Sequence, residues 1–270
     1  MRLGAIELDP VYDGIGRENA REVLCRKGFD GDPWDENSGL LDTEGNLELA
    51  VGGYLLRTSD RTILVDAGVG SIDNGRYRGG ELLNSLAGYG IEPGDVTDVI
   101  FTHLHFDHVG WATRKGNIVF ENATYRVHRL DWEHFVESSD AEPGAKRKLN
   151  PVVPRLELFD SDVTIAPGVV ARHFPGHTPG TTVFIVSSEG RTAALVGDLA
   201  HTPLEFTQPD WEFFFDFSRD RARASRSDFV SEFSDTGTAV FAAHFPDLRP
   251  GYLTTRDGRT EWTYEKKETF

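Results

Sequence analysis

Thr102-His103-Leu104-His105-Phe106-Asp107-His108-Val109-Gly110 follows directly on the apolar run Val96-Thr97-Asp98-Val99-Ile100-Phe101. Imidazoles and a carboxylate crowded this closely point to metal chemistry. In a chain leaving a strand, His103 and His105 project to one side, because side-chain direction repeats every second residue. Asp107 and His108 follow as the chain turns and can serve a second ion close to the first. The alternative is a chance run of surface histidines. A content of 9 His in 270 residues argues against three of them falling so near one another.

Three later segments extend the pattern. Pro175-Gly176-His177-Thr178-Pro179-Gly180 presents a histidine on a turn made rigid by Gly and Pro, between two strand-like runs. Ala194-Leu195-Val196-Gly197-Asp198 ends an apolar strand in a carboxylate, and Val240-Phe241-Ala242-Ala243-His244 ends another in an imidazole. Each could be an ordinary residue at a sheet rim. In this order, behind the first motif, His177, Asp198 and His244 are expected to be ligands.

The order His103-x-His105-x-Asp107-His108, then His177, Asp198 and His244, resembles the metallo-β-lactamase-fold hydrolase superfamily, as does the earlier Leu64-Val65-Asp66-Ala67-Gly68. The resemblance runs from Gly53 to His244. It implies an α/β chain folded as an αββα four-layer sandwich, two mixed sheets flanked by helices, with a two-metal site at one edge. It further implies one ion held by His103, His105 and His177, another by Asp107, His108 and His244, and Asp198 bridging them. Asp66 would orient a ligand histidine by a hydrogen bond.

Departures within the superfamily narrow the expectation. True β-lactamases of this fold generally carry Cys or another residue at the place of Asp198 and are exported. Here the Asp is present, and Met1 to Val11 has neither the basic start nor the apolar core of a leader, so antibiotic hydrolysis is not expected. N-acyl-homoserine lactonases of the superfamily tend to place a Tyr where His201 stands. That exchange argues against a quorum-signal lactonase, although His201 could supply a similar hydrogen bond to the reacting oxygen. The wording Gly197-Asp198-Leu199-Ala200-His201-Thr202-Pro203 is instead similar to methyl parathion hydrolase-like and broader lactonase or esterase members.

Imidazole and carboxylate ligands suit zinc, and manganese, iron, cobalt or nickel accept the same set. Two such ions roughly 3.5–4 Å apart share a bridging water and bring its pKa from about 15.7 to about 7. Asp107, Asp198 and a hydroxide offset three of four positive charges, leaving about one to stabilise a carbonyl oxygen that turns anionic. Asp107 can also take a proton and return it to the leaving group. The expected activity is hydrolysis of a lactone or other carboxylic ester by activated hydroxide, with phosphotriester turnover as a side activity. Two alternatives remain: a glyoxalase II-like thioesterase, though no separate basic C-terminal segment is present, and a non-hydrolytic metal-binding or redox module. Diiron members resembling flavodiiron proteins use a carboxylate-rich ligand set, whereas here Phe106 follows His105.

Composition sets outer limits. With 270 residues, 39% of them hydrophobic, the chain can bury a full core. Because the ligands span positions 103 to 244, one domain over residues 1–270 is the economical reading. Asp plus Glu total 44 against 28 Lys plus Arg, a net charge of -16 that repels phosphate backbones, so no nucleic-acid partner is expected. The single Cys25 excludes an intrachain disulfide, and no apolar run is long enough for a membrane span. A cytoplasmic setting is the default.

Strands are expected at 5–11, 53–57, 61–66, 118–120, 125–128, 163–174, 181–187 and 192–196, besides those leading into His103 and His244. Helices are expected at 81–89, 131–136 and 219–233. Insertions at 27–47, 136–159 and 206–217 lie where specificity would be decided. The last reads Phe-Thr-Gln-Pro-Asp-Trp-Glu-Phe-Phe-Phe-Asp-Phe; it fits packing under a loop, a substrate-facing wall or a homodimer contact. Trp34, Phe206, Trp211 and Phe214 are accordingly candidate pocket residues. His128, His134 and His173 match no motif and are read as structural.

Overall fold

The computed structural model describes residues 1–141 and 143–264. Its eight-stranded sheet runs in the order Arg2–Leu3, Ile6–Asn19, Asn46–Arg57, Thr62–Val65, Asp98–Ile100, Thr124–His128, Leu156–Phe159, with Tyr77–Arg78 paired beside Ile6–Asn19. A seven-stranded sheet runs Val163–Ala166, Val169–His173, Thr182–Ser188, Arg191–Gly197, Ala239–Ala242, Gly251–Arg256, Arg259–Tyr264. Both are mixed: Thr62–Val65 is parallel to Asp98–Ile100, and Arg191–Gly197 to Ala239–Ala242, among antiparallel neighbours.

The layers follow from alternation along strands that are apolar on both faces. Ile63, Val65 and Ile100 of the first sheet meet Phe184, Val186, Ala193, Leu195 and Phe241 of the second in one inter-sheet core. The intervening Leu64 and Val99 point outward to Leu82 and Leu86 of the helix Leu82–Gly88. On the far side, Val183, Ala194, Val196 and Val240 pack on Phe229 and Phe233 of the helix Arg219–Phe233. Helix, sheet, sheet and helix are thus stacked as four layers. No helix among the described residues is long and apolar enough to cross a membrane.

Several boundaries differ from the sequence reading. The first strand extends to Asn19, through a bulge at Tyr12/Gly14. Polar Asp13 is accommodated there because its buried carboxylate accepts from the Val69, Gly70, Gly80 and Leu82 amides and the Trp111 indole. The run 163–174 is a hairpin of two strands, not one. The expected helix at 131–136 is an α-turn Arg129–Trp132 continued as a π-turn Glu133–Glu137. The hairpin Gly251–Arg256/Arg259–Tyr264 and the ribbon Leu24–Arg26/Trp211–Phe213 were not anticipated. Helix Arg219–Phe233 has the expected bounds, and its buried residues Ala222, Ser225, Arg226, Phe229 and Phe233 recur at one-face spacing.

Candidate metal centre

All seven predicted ligands converge at one rim of the two sheets, in two groups. His103, His105, His177 and Asp198 form one, and Asp107, His108 and His244 the other. His105 Nδ1 lies 3.0 Å from His103 Nε2 and 2.9 Å from His177 Nε2. Asp198 Oδ2 stands 3.7 Å from His103 Nε2, 3.5 Å from His177 Nε2 and 3.1 Å from His244 Nε2, while its Oδ1 stands 3.2 Å from His108 Nε2. Asp107 Oδ2 is 3.6 Å from His244 Nε2. Asp198 therefore faces both groups with one carboxylate.

The donor set fits cations. Burial holds the His103 imidazole well below its ordinary pKa and takes His105 and His177 down to about 3, so the three rings are neutral and each has one nitrogen lone pair to offer. Lone pairs that face one another cannot satisfy each other by hydrogen bonding, and a divalent ion between them can. His108 Nε2 and Asp198 Oδ1 are buried without a hydrogen-bond partner among the described residues. Against burial, Asp198 and Asp66 together raise the His108 pKa well above the usual range.

Local backbone chemistry aims these groups. Asp66 has φ 60°, a left-handed conformation uncommon outside glycine, and it closes the strand Thr62–Val65. Its carboxylate accepts from Thr102 N at 2.8 Å, Thr102 Oγ1 at 2.7 Å and His108 Nδ1 at 2.9 Å. Gly197, at φ 52°, brings the strand before Asp198 against Thr102, where a Cβ would lie 2.6 Å from the Thr102 side chain. His177 Nδ1 donates to Asp216 Oδ1 at 3.0 Å and His244 Nδ1 to the Ala50 carbonyl at 3.0 Å. Asp131, fully buried, accepts from Thr178 Oγ1 and the Gly180 amide and so holds the His177 turn. The carboxylate–imidazole pairs fix ring orientation and tautomer.

The metallo-β-lactamase superfamily model matches residues 50–244, which include every one of these ligands. The chain belongs to that superfamily. Among relatives in the superfamily, an N-acyl homoserine lactonase of Bacillus sp is 32% identical over 160 residues, 53% of this chain and 60% of that protein. Another from Bacillus thuringiensis is 30% identical over 180 residues, covering 59% of this chain and 68% of that protein. This chain thus matches less than two thirds of the length of the first of these relatives. A solved structure of AidC, a dizinc quorum-quenching lactonase in complex with a product, N-hexanoyl-L-homoserine, superposes with a TM-score of 0.86 at 28% identity, covering 98% of this chain and 96% of that one. These are similarities to the quorum-signal lactonases that the His201 exchange argued against.

In this member of the superfamily His105, Asp107, His177, Asp198 and His244 line a cavity of about 630 Å³. His201 lines it, buried, with its ring stacked on Phe213 at 3.5 Å between centroids. His201 Nε2 is 3.4 Å from Asp198 Oδ2 and Nδ1 is 3.5 Å from Glu205 Oε1. Burial opposes charge on this ring, but Glu205 and Asp198 prevail and raise its pKa to about 10.

The four aromatic pocket candidates do not line the cavity. Trp34 and Trp211 pack edge to face at 4.9 Å in a buried cluster under the 27–47 insertion. Phe206 stacks on Trp262 at 5.8 Å in the core beneath helix Arg219–Phe233. Phe214 is 57% exposed and lies under the Arg219 guanidinium. Past the strand Trp211–Phe213 the chain turns, and Phe213, Phe215 and Phe217 line the cavity together with Phe106 and Phe135, whereas Trp211 is buried against Trp34. Sequence reading also missed Glu205, Asp216 and Arg226. Glu205 was in principle visible, as Thr202-x-x-Glu205 is a capping-box pattern, and the Thr202 amide donates to Glu205 Oε2 at 3.0 Å.

Proposed function

We propose that this chain is a dinuclear metal-dependent hydrolase that opens lactones, N-acyl homoserine lactones foremost, and accepts other carboxylic esters. The observation that carries the reading is Asp198 set between two ligand groups on the floor of an aromatic-walled cavity. His103, His105 and His177 would hold one divalent ion and Asp107, His108 and His244 the other, with Asp198 serving both. Two such ions, zinc in the first instance, supply Lewis acidity and a water activated near neutral pH when bound.

The protein's own groups do the rest. Phe106, Phe135, Phe213, Phe215 and Phe217 bind the apolar part of the substrate and exclude water from it. His201 donates a hydrogen bond to the carbonyl oxygen as it gains negative charge. The water oxygen bonds to the carbonyl carbon, the acyl carbon–oxygen bond breaks, and Asp107 carries a proton from the water to the departing alkoxide oxygen. The product is the ring-opened hydroxy acid. A phosphotriester presents a comparable developing oxyanion, which supports turnover of that class as a side activity.

The test is a panel of N-acyl homoserine lactones, an aryl ester, a phosphotriester and an acyl-glutathione thioester, assayed with the zinc, manganese and cobalt forms. Highest kcat/KM on the lactones is expected. A thioester preferred over every lactone, or no turnover of any member, overturns the reading.

A further inference from the structure

Next to the centre, and outside the lining of the cavity, lies a buried set of charges that the reaction as described does not use. Arg226, almost fully buried on helix Arg219–Phe233, places Nη1 3.6 Å from Glu205 Oε1 and 3.5 Å from Asp216 Oδ2. Its Nη2 donates to the Trp211 carbonyl at 3.1 Å. Each carboxylate has a second task. Asp216 accepts from His177 through its other oxygen, and Glu205 Oε2 accepts from the His201 and Thr202 amides at 2.6 and 3.0 Å while Oε1 faces the His201 ring. One guanidinium thus stands between the partner of a ligand and the partner of the hydrogen-bond donor.

The helix is fixed against the His177 turn in a way that makes this placement stiff. A Cβ on Gly176, at φ 146°, would fall 2.2 Å from the Ala222 amide nitrogen, so only glycine permits the approach. Ser225 Oγ donates to the Pro175 carbonyl at 2.6 Å, and the Phe217 and Ser218 amides bond to the His177 and Gly176 carbonyls. A planar, always charged fork suits two carboxylates that diverge, as a lysine point charge does not. Removing it leaves two buried carboxylates without their shared cation, free to turn away from the rings they orient.

We infer that Arg226 is a positioning residue that sets His177 and His201 together, through Asp216 and Glu205. The part concerning His201 rests on the proposed lactonase reading; the part concerning His177 does not.

The test uses the full chain loaded with cobalt, read by its visible ligand-field band and by chelator competition, alongside kcat and KM on an N-acyl homoserine lactone. In Arg226→Met we expect a shifted band, about tenfold weaker binding of one of two cobalt equivalents, and kcat lowered about 10- to 100-fold with KM within about threefold. Asp216→Asn should move the band and the affinity, whereas Glu205→Gln should move kcat and leave the band alone. Combined with Arg226→Met, each should add less than the product of the single effects. Guanidinium ion added to Arg226→Ala should restore part of both readouts.

A wild-type band and kcat in Arg226→Met, or full additivity in both combinations, overturns the inference. If Arg226→Met gives no cooperative unfolding transition, Arg226→Lys decides. A shifted band and lowered kcat at unchanged Tm uphold the inference, and wild-type values for both refute it. A wild-type chain that binds two cobalt ions yet opens no lactone removes the lactonase reading. The band and affinity of the Arg226 variants then decide the His177 part alone.

Discussion

Asp66 Oδ2 lies 2.9 Å from His108 Nδ1, on a residue held at φ 60° at the end of its strand. The same carboxylate accepts two hydrogen bonds from Thr102, the residue that opens the ligand loop. Strain in one residue is thereby offset by three bonds that aim the loop. Asp66→Ala should therefore weaken metal binding about 10- to 100-fold, the usual effect of losing an outer partner of a ligand histidine. Chelator competition measures it; unchanged affinity would show that the loop is aimed by other contacts.

Asp107 forms part of the cavity lining as well as one of the two ligand groups. Asp107→Asn keeps an oxygen at the site but loses the proton acceptor. Turnover should fall by about 10²–10⁴-fold, the span of general acid–base contributions, with at most partial loss of metal. Near-normal kcat in the metal-loaded variant would take Asp107 out of its proposed role.

The odd-numbered phenylalanines of 213–217 face the cavity, and Phe214 does not. Phe215→Ala and Phe217→Ala should each lower kcat/KM for long-chain acyl lactones about tenfold, consistent with losing part of the roughly 1.5–3 kcal/mol of a buried aromatic contact. Short-chain lactones should be affected little, and Phe214→Ala should leave both unchanged. Equal losses for all three variants would remove the acyl wall from this segment.

Asp131 ties the His177 turn to the rest of the fold, and burial raises its pKa to about 7 from 3.8. A carboxyl raised in the folded state binds more protons folded than unfolded between those values. Its contribution to stability is thus fully present below pH 3.8 and is lost as pH rises toward 7. The Tm of the wild type minus that of Asp131→Asn, which mimics the neutral acid, should therefore fall across that window. Parallel Tm profiles would contradict this.

The two groups of side chains that converge at the rim were legible because each member ends an apolar strand or opens a rigid turn, features written within a few neighbouring residues. Helix Arg219–Phe233 was legible for the same reason, its buried face recurring at helical spacing. What escaped depends on contacts distant in the chain. Asp216 meets His177 across 39 positions, and Arg226 reaches Glu205 only after the helix docks on Gly176. The aromatic segment shows the limit most plainly. Its composition left packing, a substrate-facing wall and a dimer contact open, and which phenylalanines line the cavity depends on the turn that follows the ribbon of Trp211–Phe213 and Leu24–Arg26, which no local pattern revealed. The C-terminal hairpin carries its own local turn signal in Asp257-Gly258.

The most direct measurement is metal content per chain, by elemental analysis, alongside lactone turnover in one preparation as a chelator withdraws the ions and zinc returns them. Two ions per chain in the active protein, with turnover lost on removal and recovered on return, is the expected result. A preparation stripped of ions that still opens lactones at the full rate would contradict it.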